Sequence, residues 1–157
     1  MVDIRLCSSV DELRAGITPI WHYFGRQPVD DHLHALQRVL PLDRVHIACE
    51  DGDIVGAAGS FPFELTVPGG RVSAAGVTIV AVLPTHRRRG ILRRLMRAQL
   101  DACRERGEPV AYLWATEDTI YDQFGYGLAS LSASIFNVID PDSTRLSNAQ
   151  AAPRSYP

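Results

Sequence analysis

Apolar residues in the first 40 positions recur mainly at helical spacing. Ser8 or Ser9 followed by Glu12 is typical of a helix N-terminus, because the serine oxygen and the carboxylate accept hydrogen bonds from N–H groups that lack partners there. The pattern predicts a strand over residues 4–7, a helix from about residue 10 to about residue 16, and a second helix from residue 30 or 31 to about residue 40.

From Val45 onward the spacing shortens to that of strands, and two glycine-containing turns divide the segment. Asp51-Gly52 and Pro68-Gly69-Gly70 are strong turn signals, because glycine adopts backbone angles that other residues avoid. Four strands are therefore expected, over residues 45–49, 54–58, 61–67 and 72–82, and they form two hairpins.

The last third of the chain alternates between helix and strand signals. An apolar stripe predicts a helix over residues 91–107, followed by a strand at 109–114, a short helix at 117–124 and one or two strands within 128–139. This order predicts an α+β fold in which helices flank a mixed central β-sheet. Residues 1–140 are expected to form one domain, and the polar residues 141–157 a tail or the start of a linker.

Composition narrows the class of protein. With 157 residues, 46% of them hydrophobic and 22% charged, the chain is long enough for one globular core. A net charge of −2 gives no overall attraction for nucleic acid. Cys7, Cys49 and Cys103 are widely spaced, which argues against a disulfide framework or a zinc site. Free cysteines of this kind are typical of a protein in a reducing compartment. No apolar run has the length of a membrane span or a signal peptide, so we expect a cytoplasmic protein that does not bind a membrane. The spacing of the cysteines also predicts that no metal is bound.

One segment concentrates the candidate chemistry: a strand runs through Pro84 and Arg87-Arg88-Arg89-Gly90 into a helix. Pro84 has no N–H to donate, so strand pairing stops there. The first N–H groups of the following helix lack partners, and the helix dipole favours an anion beside them. Gly90 lets the backbone approach a ligand closely. We therefore expect this segment to bind phosphate groups.

The order of motifs resembles the Gcn5-related N-acetyltransferase (GNAT) fold and, within it, the N-terminal domain of the Eis (enhanced intracellular survival) aminoglycoside acetyltransferases. The match covers most of residues 1–140 and is strongest from Leu65 to Gly127. The motifs that carry it are Leu65-Thr66-Val67-Pro68-Gly69-Gly70, Val80-Ala81-Val82-Leu83-Pro84-Thr85-His86-Arg87-Arg88-Arg89-Gly90, Trp114-Ala115-Thr116-Glu117 and Ile120-Tyr121-Asp122-Gln123-Phe124-Gly125-Tyr126-Gly127. The resemblance implies a sheet whose parallel strands splay apart to hold acetyl-coenzyme A (acetyl-CoA) as a co-substrate.

The resemblance also implies roles for single residues. The pantetheine arm of acetyl-CoA would lie along the backbone of Val80, Ala81 and Val82, with Thr116 nearby. Its pyrophosphate would be held by the basic turn, at Arg87, Arg88, Arg89, Gly90 and Ile91. Tyr121 matches the position of the family's general acid. A phenol suits that role because its pKa is close to that of the departing thiolate. Tyr126 is the rival phenol. A backbone N–H near Val80 would stabilise the oxyanion.

The acceptor implied by the resemblance is a primary amine, on an aminoglycoside or another polyamine-like cation. Trp21, Phe24 and Ile79 are the candidate acceptor contacts, although an aromatic run before a helix is also typical of a core. The base has three alternative candidates, which are His22, Glu64 and Glu117. The resemblance further implies a homo-oligomer.

Eis-like proteins are more than twice as long as this chain, and a C-terminal carboxylate serves as their base, a role that Pro157 cannot take. The chain is therefore either a fragment or a short relative. Two other functions stay open. A non-catalytic domain would bind acetyl-CoA for sensing or assembly. A polyanion binder would use the arginines, but the acidic pI and the lack of aromatic residues among them argue against it, and a P-loop sequence is absent.

Overall fold

The computed structural model describes residues 1–25 and 29–130. Residues Met1–Thr116 form one compact unit, and a second begins at Glu117. The strands of the described residues are β1 (Asp3–Leu6), β2 (Val45–Glu50), β3 (Asp53–Val67), β4 (Gly70–Val82) and β5 (Val110–Leu113). The α-helices are α1 (Val10–Tyr23), α2 (Asp30–Gln37) and α3 (Ile91–Glu105).

The five strands lie side by side in chain order. Neighbours from β1 to β4 are antiparallel, whereas β4 and β5 are parallel because α3 carries the chain back between them. This mixed sheet between helices confirms the predicted α+β class. Both predicted hairpin turns are present, at Asp51-Gly52 and at Pro68-Gly69, where Gly52 and Gly69 have φ values of 94° and 92°.

Helices cover both faces of the sheet and bury two apolar clusters. On one face, Leu13 and Ile17 of α1 and Leu33 of α2 pack against Ile47 and Ala57. On the other face, Ile91 and Leu95 of α3 pack against residues of β2 and β3 that include Ala48 and Ala58. The sheet therefore holds the turn between β4 and α3 at one end of a packed layer, where its backbone can present a ligand site.

Helix α1 is longer than predicted, since it continues past Gly16 and Pro19 to Tyr23. A Cβ at Gly16 would lie 3.0 Å from the Cβ of Ala57, so glycine is needed here for close packing on the sheet and does not end the helix. The predicted N-cap is correct: Ser9 Oγ accepts a hydrogen bond from the Glu12 N–H at 3.2 Å.

Two predicted strands, 54–58 and 61–67, are one continuous strand, β3. Pro62 is tolerated inside it because pairing between β2 and β3 ends at Gly59, so beyond that point β3 has a neighbour on the β4 side alone among the described strands. In the second unit, the predicted helix at 117–124 is instead two 3-10 turns, Asp118–Ile120 and Asp122–Phe124. The strands predicted within 128–139 fall almost wholly outside the described residues, as does the predicted tail.

Candidate functional site

Strands β4 and β5 separate before β4 ends. They pair from Ala74 opposite Val110 to Val77 opposite Leu113. Strand β5 ends there, whereas β4 continues to Val82 and stays paired with β3. Within the described residues, the second edge of β4 from Thr78 to Val82 therefore has no neighbouring strand, and its backbone groups can hydrogen-bond to an extended ligand.

A bulge in β4 lies where this separation begins. Gly59 faces Thr78 and Ala57 faces Ala81, so Ile79 and Val80 together oppose Ala58. Ile79 has a φ of 51°, which is rare for a β-branched residue and costs about 1–3 kcal/mol. Gly59 makes room for it, because a Cβ there would lie 3.1 Å from the Ile79 side chain. The packed sheet holds this strain at the point where β4 leaves β5.

The chain then makes a tight turn into α3. A 3-10 turn spans Pro84–His86, and Gly90, with a φ of 75°, is the N-cap of α3 without a side-chain cap. Arg88 also lies in the left-handed region, with a φ of 62°. Left-handed residues in a turn are typical of backbone nests that bind anions. The segment that was predicted to bind phosphate is thus a turn at a helix N-terminus without a side-chain cap.

The three arginines of the turn have different partners. Both terminal nitrogens of Arg89 donate to the carboxylate of Glu50, one of them at 2.7 Å. Arg87 and Arg88 are exposed and have no ion-pair partner among the residues that the structure describes. Two positive charges therefore face solvent beside the helix N-terminus, where an anion would be attracted.

Glu50 is a site residue that the sequence did not indicate, since it adjoins the Asp51-Gly52 turn and looks like part of it. Its Oε2 lies 3.3 Å from His86 Nε2 in addition to its contacts with Arg89. The hydrogen bonds of Arg89 lower the pKa of Glu50, against the opposing effect of burial, so the carboxylate is ionised at neutral pH. The run of arginines in the turn indicates that a carboxylate lies nearby, but this signal does not distinguish Glu50 from the other acidic residues.

In the second unit, Tyr121 is partly buried and its ring packs edge-on against Tyr126, with centroids 5.8 Å apart. Burial, together with the nearby charge of Glu117, raises the pKa of Tyr121 above that of a free phenol. A raised pKa keeps the hydroxyl protonated at neutral pH, as a proton donor requires.

The other predicted contacts are placed as follows. Ile79 is buried in the α1 face of the sheet, and Trp21 packs against the same cluster, so both contribute to the core. Phe24 is 50% exposed beside Tyr23. Thr116 is exposed, three residues after the end of β5. Val80 and Val82 direct their side chains into the α3 face, which leaves their backbone as the part available to a ligand.

Among residues 1–25 and 29–130, no helix combines the length and apolarity that crossing a membrane requires. The same residues contain no group of three His, Cys, Asp or Glu side chains that could hold a metal ion.

Comparison with known proteins places these features in context. A family model described as "Acetyltransferase (GNAT) domain" matches residues 12–129. An uncharacterized N-acetyltransferase of Streptomyces coelicolor is 56% identical over 130 residues, which are 79% of this chain and 31% of that protein. The N-acetyltransferase Eis of Mycobacterium tuberculosis is 47% identical over 79 residues, 50% of this chain and 20% of that protein.

Similarity extends to a solved structure. The crystal structure of Eis1 from Mycobacterium abscessus matches with a TM-score of 0.74 and 44% identity, covering 85% of this chain and 33% of that one. The chain thus spans a third or less of the length of these relatives.

Proposed function

The chain belongs to the GNAT acetyltransferase family, and we propose that it transfers the acetyl group of acetyl-CoA to a primary amine. Acetyl-CoA is the acyl donor that this family uses. The observation that carries the proposal is the edge of β4 after Val77, which has no neighbouring strand among the described residues and leads directly into a turn where Arg87 and Arg88 have no ion-pair partner among those residues. An extended, amide-containing arm joined to phosphates fits that succession of backbone edge and positive turn.

The described residues fit such a donor. Backbone groups of Val80, Ala81 and Val82 would pair with the pantetheine arm, and Thr116 would lie beside it. The pyrophosphate would bind to Arg87, Arg88 and the backbone N–H groups of Gly90 and Ile91 at the uncapped start of α3. Arg89 is a further proposed pyrophosphate contact, with its charge paired to Glu50, so Arg87 and Arg88 supply most of the positive charge.

When bound, acetyl-CoA supplies a thioester carbonyl that an uncharged amine can attack. We propose that a backbone N–H at the bulge near Val80 stabilises the oxyanion that develops on that carbonyl. Tyr121 would donate its hydroxyl proton to the departing thiolate, and the amine nitrogen would lose its proton to one of the candidate bases His22, Glu64 and Glu117. The raised pKa of Tyr121 supports this role, because the hydroxyl is fully protonated before the reaction.

The resemblance to the Eis-like branch favours a cationic amine as acceptor, such as an aminoglycoside or a polyamine. Of the three proposed acceptor contacts, Phe24 is supported by its exposed ring, whereas the core packing of Trp21 and Ile79 argues against direct contact by their side chains. We also propose a homo-oligomer from the same resemblance. The free cysteines support a reducing compartment such as the cytoplasm.

The experiment is release of free CoA thiol from acetyl-CoA over a panel of aminoglycosides and polyamines, with mass spectrometry of each acceptor. Transfer to at least one primary amine supports the proposal. Binding of acetyl-CoA without thiol release on any amine would instead favour the second candidate, a non-catalytic domain that retains the donor cleft.

A further inference from the structure

The carboxylate of Glu50 contacts the basic turn at two points. Residue Glu50 ends β2, 39 positions before Arg89 in sequence. One carboxylate oxygen accepts a hydrogen bond from Arg89 Nη1 at 2.7 Å and lies 3.3 Å from His86 Nε2, while the other accepts from Arg89 Nη2. Glu50 therefore contacts the turn on both sides of Arg87 and Arg88, at His86 and at Arg89.

His86 is in turn fixed by its neighbour. Its Nδ1 lies 2.8 Å from the hydroxyl oxygen of Thr85. A carboxylate can only accept, so the position of Glu50 favours a proton on His86 Nε2 and leaves Nδ1 to accept from Thr85. The side chains of Glu50 and His86 are 14% and 23% exposed, whereas that of Arg89 is 46% exposed. Two parallel N–H···O bonds from one guanidinium fix its orientation on the carboxylate better than a single contact does.

We propose that Glu50 is a positioning residue for the donor, which holds the turn so that Arg87 and Arg88 point away from the sheet toward the phosphates. The proposal rests on the proposed function. Two features of the turn require such a support. Three adjacent guanidinium groups repel one another, and Glu50 neutralises one of them. The backbone at Arg88 is strained by its positive φ, and strain of this kind persists where surrounding contacts fix it.

The matched variant is Glu50→Gln, which keeps the size of the side chain and removes its charge. Two probes separate positioning from general stability: CoA, which carries phosphates, and pantetheine, which carries none, each titrated by NMR chemical shift. We expect E50Q to weaken CoA binding about tenfold, because a turn that Glu50 no longer holds must be ordered when the phosphates bind, and to leave pantetheine binding unchanged. This cost is expected to exceed the attraction for phosphate that the loss of one negative charge adds. The control is Glu12→Gln, which breaks a similar bidentate pair, with Arg5, outside the turn. It should change neither the affinity for CoA nor that for pantetheine.

A second measurement does not depend on any ligand. Amide hydrogen exchange in the free protein should become faster over residues 84–91 in E50Q and stay unchanged there in E12Q. Equal weakening of CoA and pantetheine, or no weakening of either, would overturn the positioning role. Unchanged hydrogen exchange in E50Q would show that Glu50 does not stabilise the turn. If the wild-type protein binds neither probe, the proposed function itself fails, and the exchange rates then decide separately whether Glu50 holds the turn.

Discussion

Tyr121 is the side chain on which the proposed chemistry depends most. Changing it to Phe removes the hydroxyl and keeps the ring that packs against Tyr126. We expect Tyr121→Phe to lower kcat by about a hundredfold, the low end for loss of a general acid, with the affinity for acetyl-CoA little changed. Steady-state thiol release and a CoA titration measure the two effects.

Tyr126→Phe is the control, because Tyr126 is the other phenol of the same segment. It should retain most of the wild-type kcat. Full activity in Tyr121→Phe together with loss of activity in Tyr126→Phe would show that Tyr126, and not Tyr121, is the general acid.

At the level of single residues, sequence could predict those groups that act through their own chemical type. The arginine turn followed from its charge, and Gly90 from the close approach of the backbone to a ligand that a missing Cβ allows; both lie at the N-terminus of α3. Glu50 could not be predicted, because its contact with Arg89 joins residues 39 positions apart and depends on the strand register. The strained backbone of Ile79 was hidden for the same reason, since a bulge arises from pairing between strands and not from local preference.

Among the elements, the start of β5 is tied to the start of β2 by a buried ion pair. Arg44 contacts Glu108, and the two side chains are 9% and 7% exposed. Arg44 Nε also donates to the carbonyl oxygen of Ser60 at 2.9 Å, and Arg106 Nε lies 3.3 Å from Glu108. These contacts help to hold β5 in the register with β4 from which the two strands later separate.

Glu108→Ala leaves the Arg44 guanidinium buried without its carboxylate. We expect the free energy of unfolding to fall by about 3–5 kcal/mol, the usual cost of breaking a buried pair. Urea unfolding of Glu108→Ala, of Arg44→Met and of the double variant Arg44→Met/Glu108→Ala measures this, and the double variant should lose less than the two single variants together. A double variant as unstable as the sum of the two single changes would show that the pair is not coupled.

The order and type of most elements could be predicted from their spacing, but two boundaries could not. Gly16 and Pro19 are typical of helix ends, yet α1 runs through both because its packing on Ala57 outweighs local preference. Pro62 and Gly59 are likewise typical of strand breaks, and β3 continues because one of its sides needs no partner there. In both places a tertiary contact decides what the local sequence leaves open.

For the whole molecule, the ion pairs of the carboxylates predict how stability changes with acid. Hydrogen bonds from Arg5 and Ser8 lower the pKa of Glu12 to about 2, and the pKa values of Asp30 and Glu50 are also lowered, first by their arginine partners. A carboxyl whose pKa is lower in the folded state stabilises it above the unfolded pKa of about 4.3 and loses that effect as the pH falls.

The urea midpoint of the wild type should therefore fall steeply from about pH 5 to about pH 2. In Glu12→Gln it should be lower at neutral pH and fall less over the same range. Parallel curves for the two proteins would mean that the Arg5–Glu12 pair contributes nothing to the acid sensitivity.

Calorimetric titration with CoA shows whether the turn between β4 and α3 binds the phosphates of a CoA thioester. We expect the wild type to bind in the micromolar range and Arg87→Ala/Arg88→Ala to bind at least tenfold more weakly, since each lost charge-assisted contact is worth about that factor. Arg93→Ala/Arg97→Ala removes two exposed arginines from α3 beyond the turn and should bind as the wild type does. No binding by the wild type, or the same loss in both double variants, would mean that this turn does not bind the phosphates.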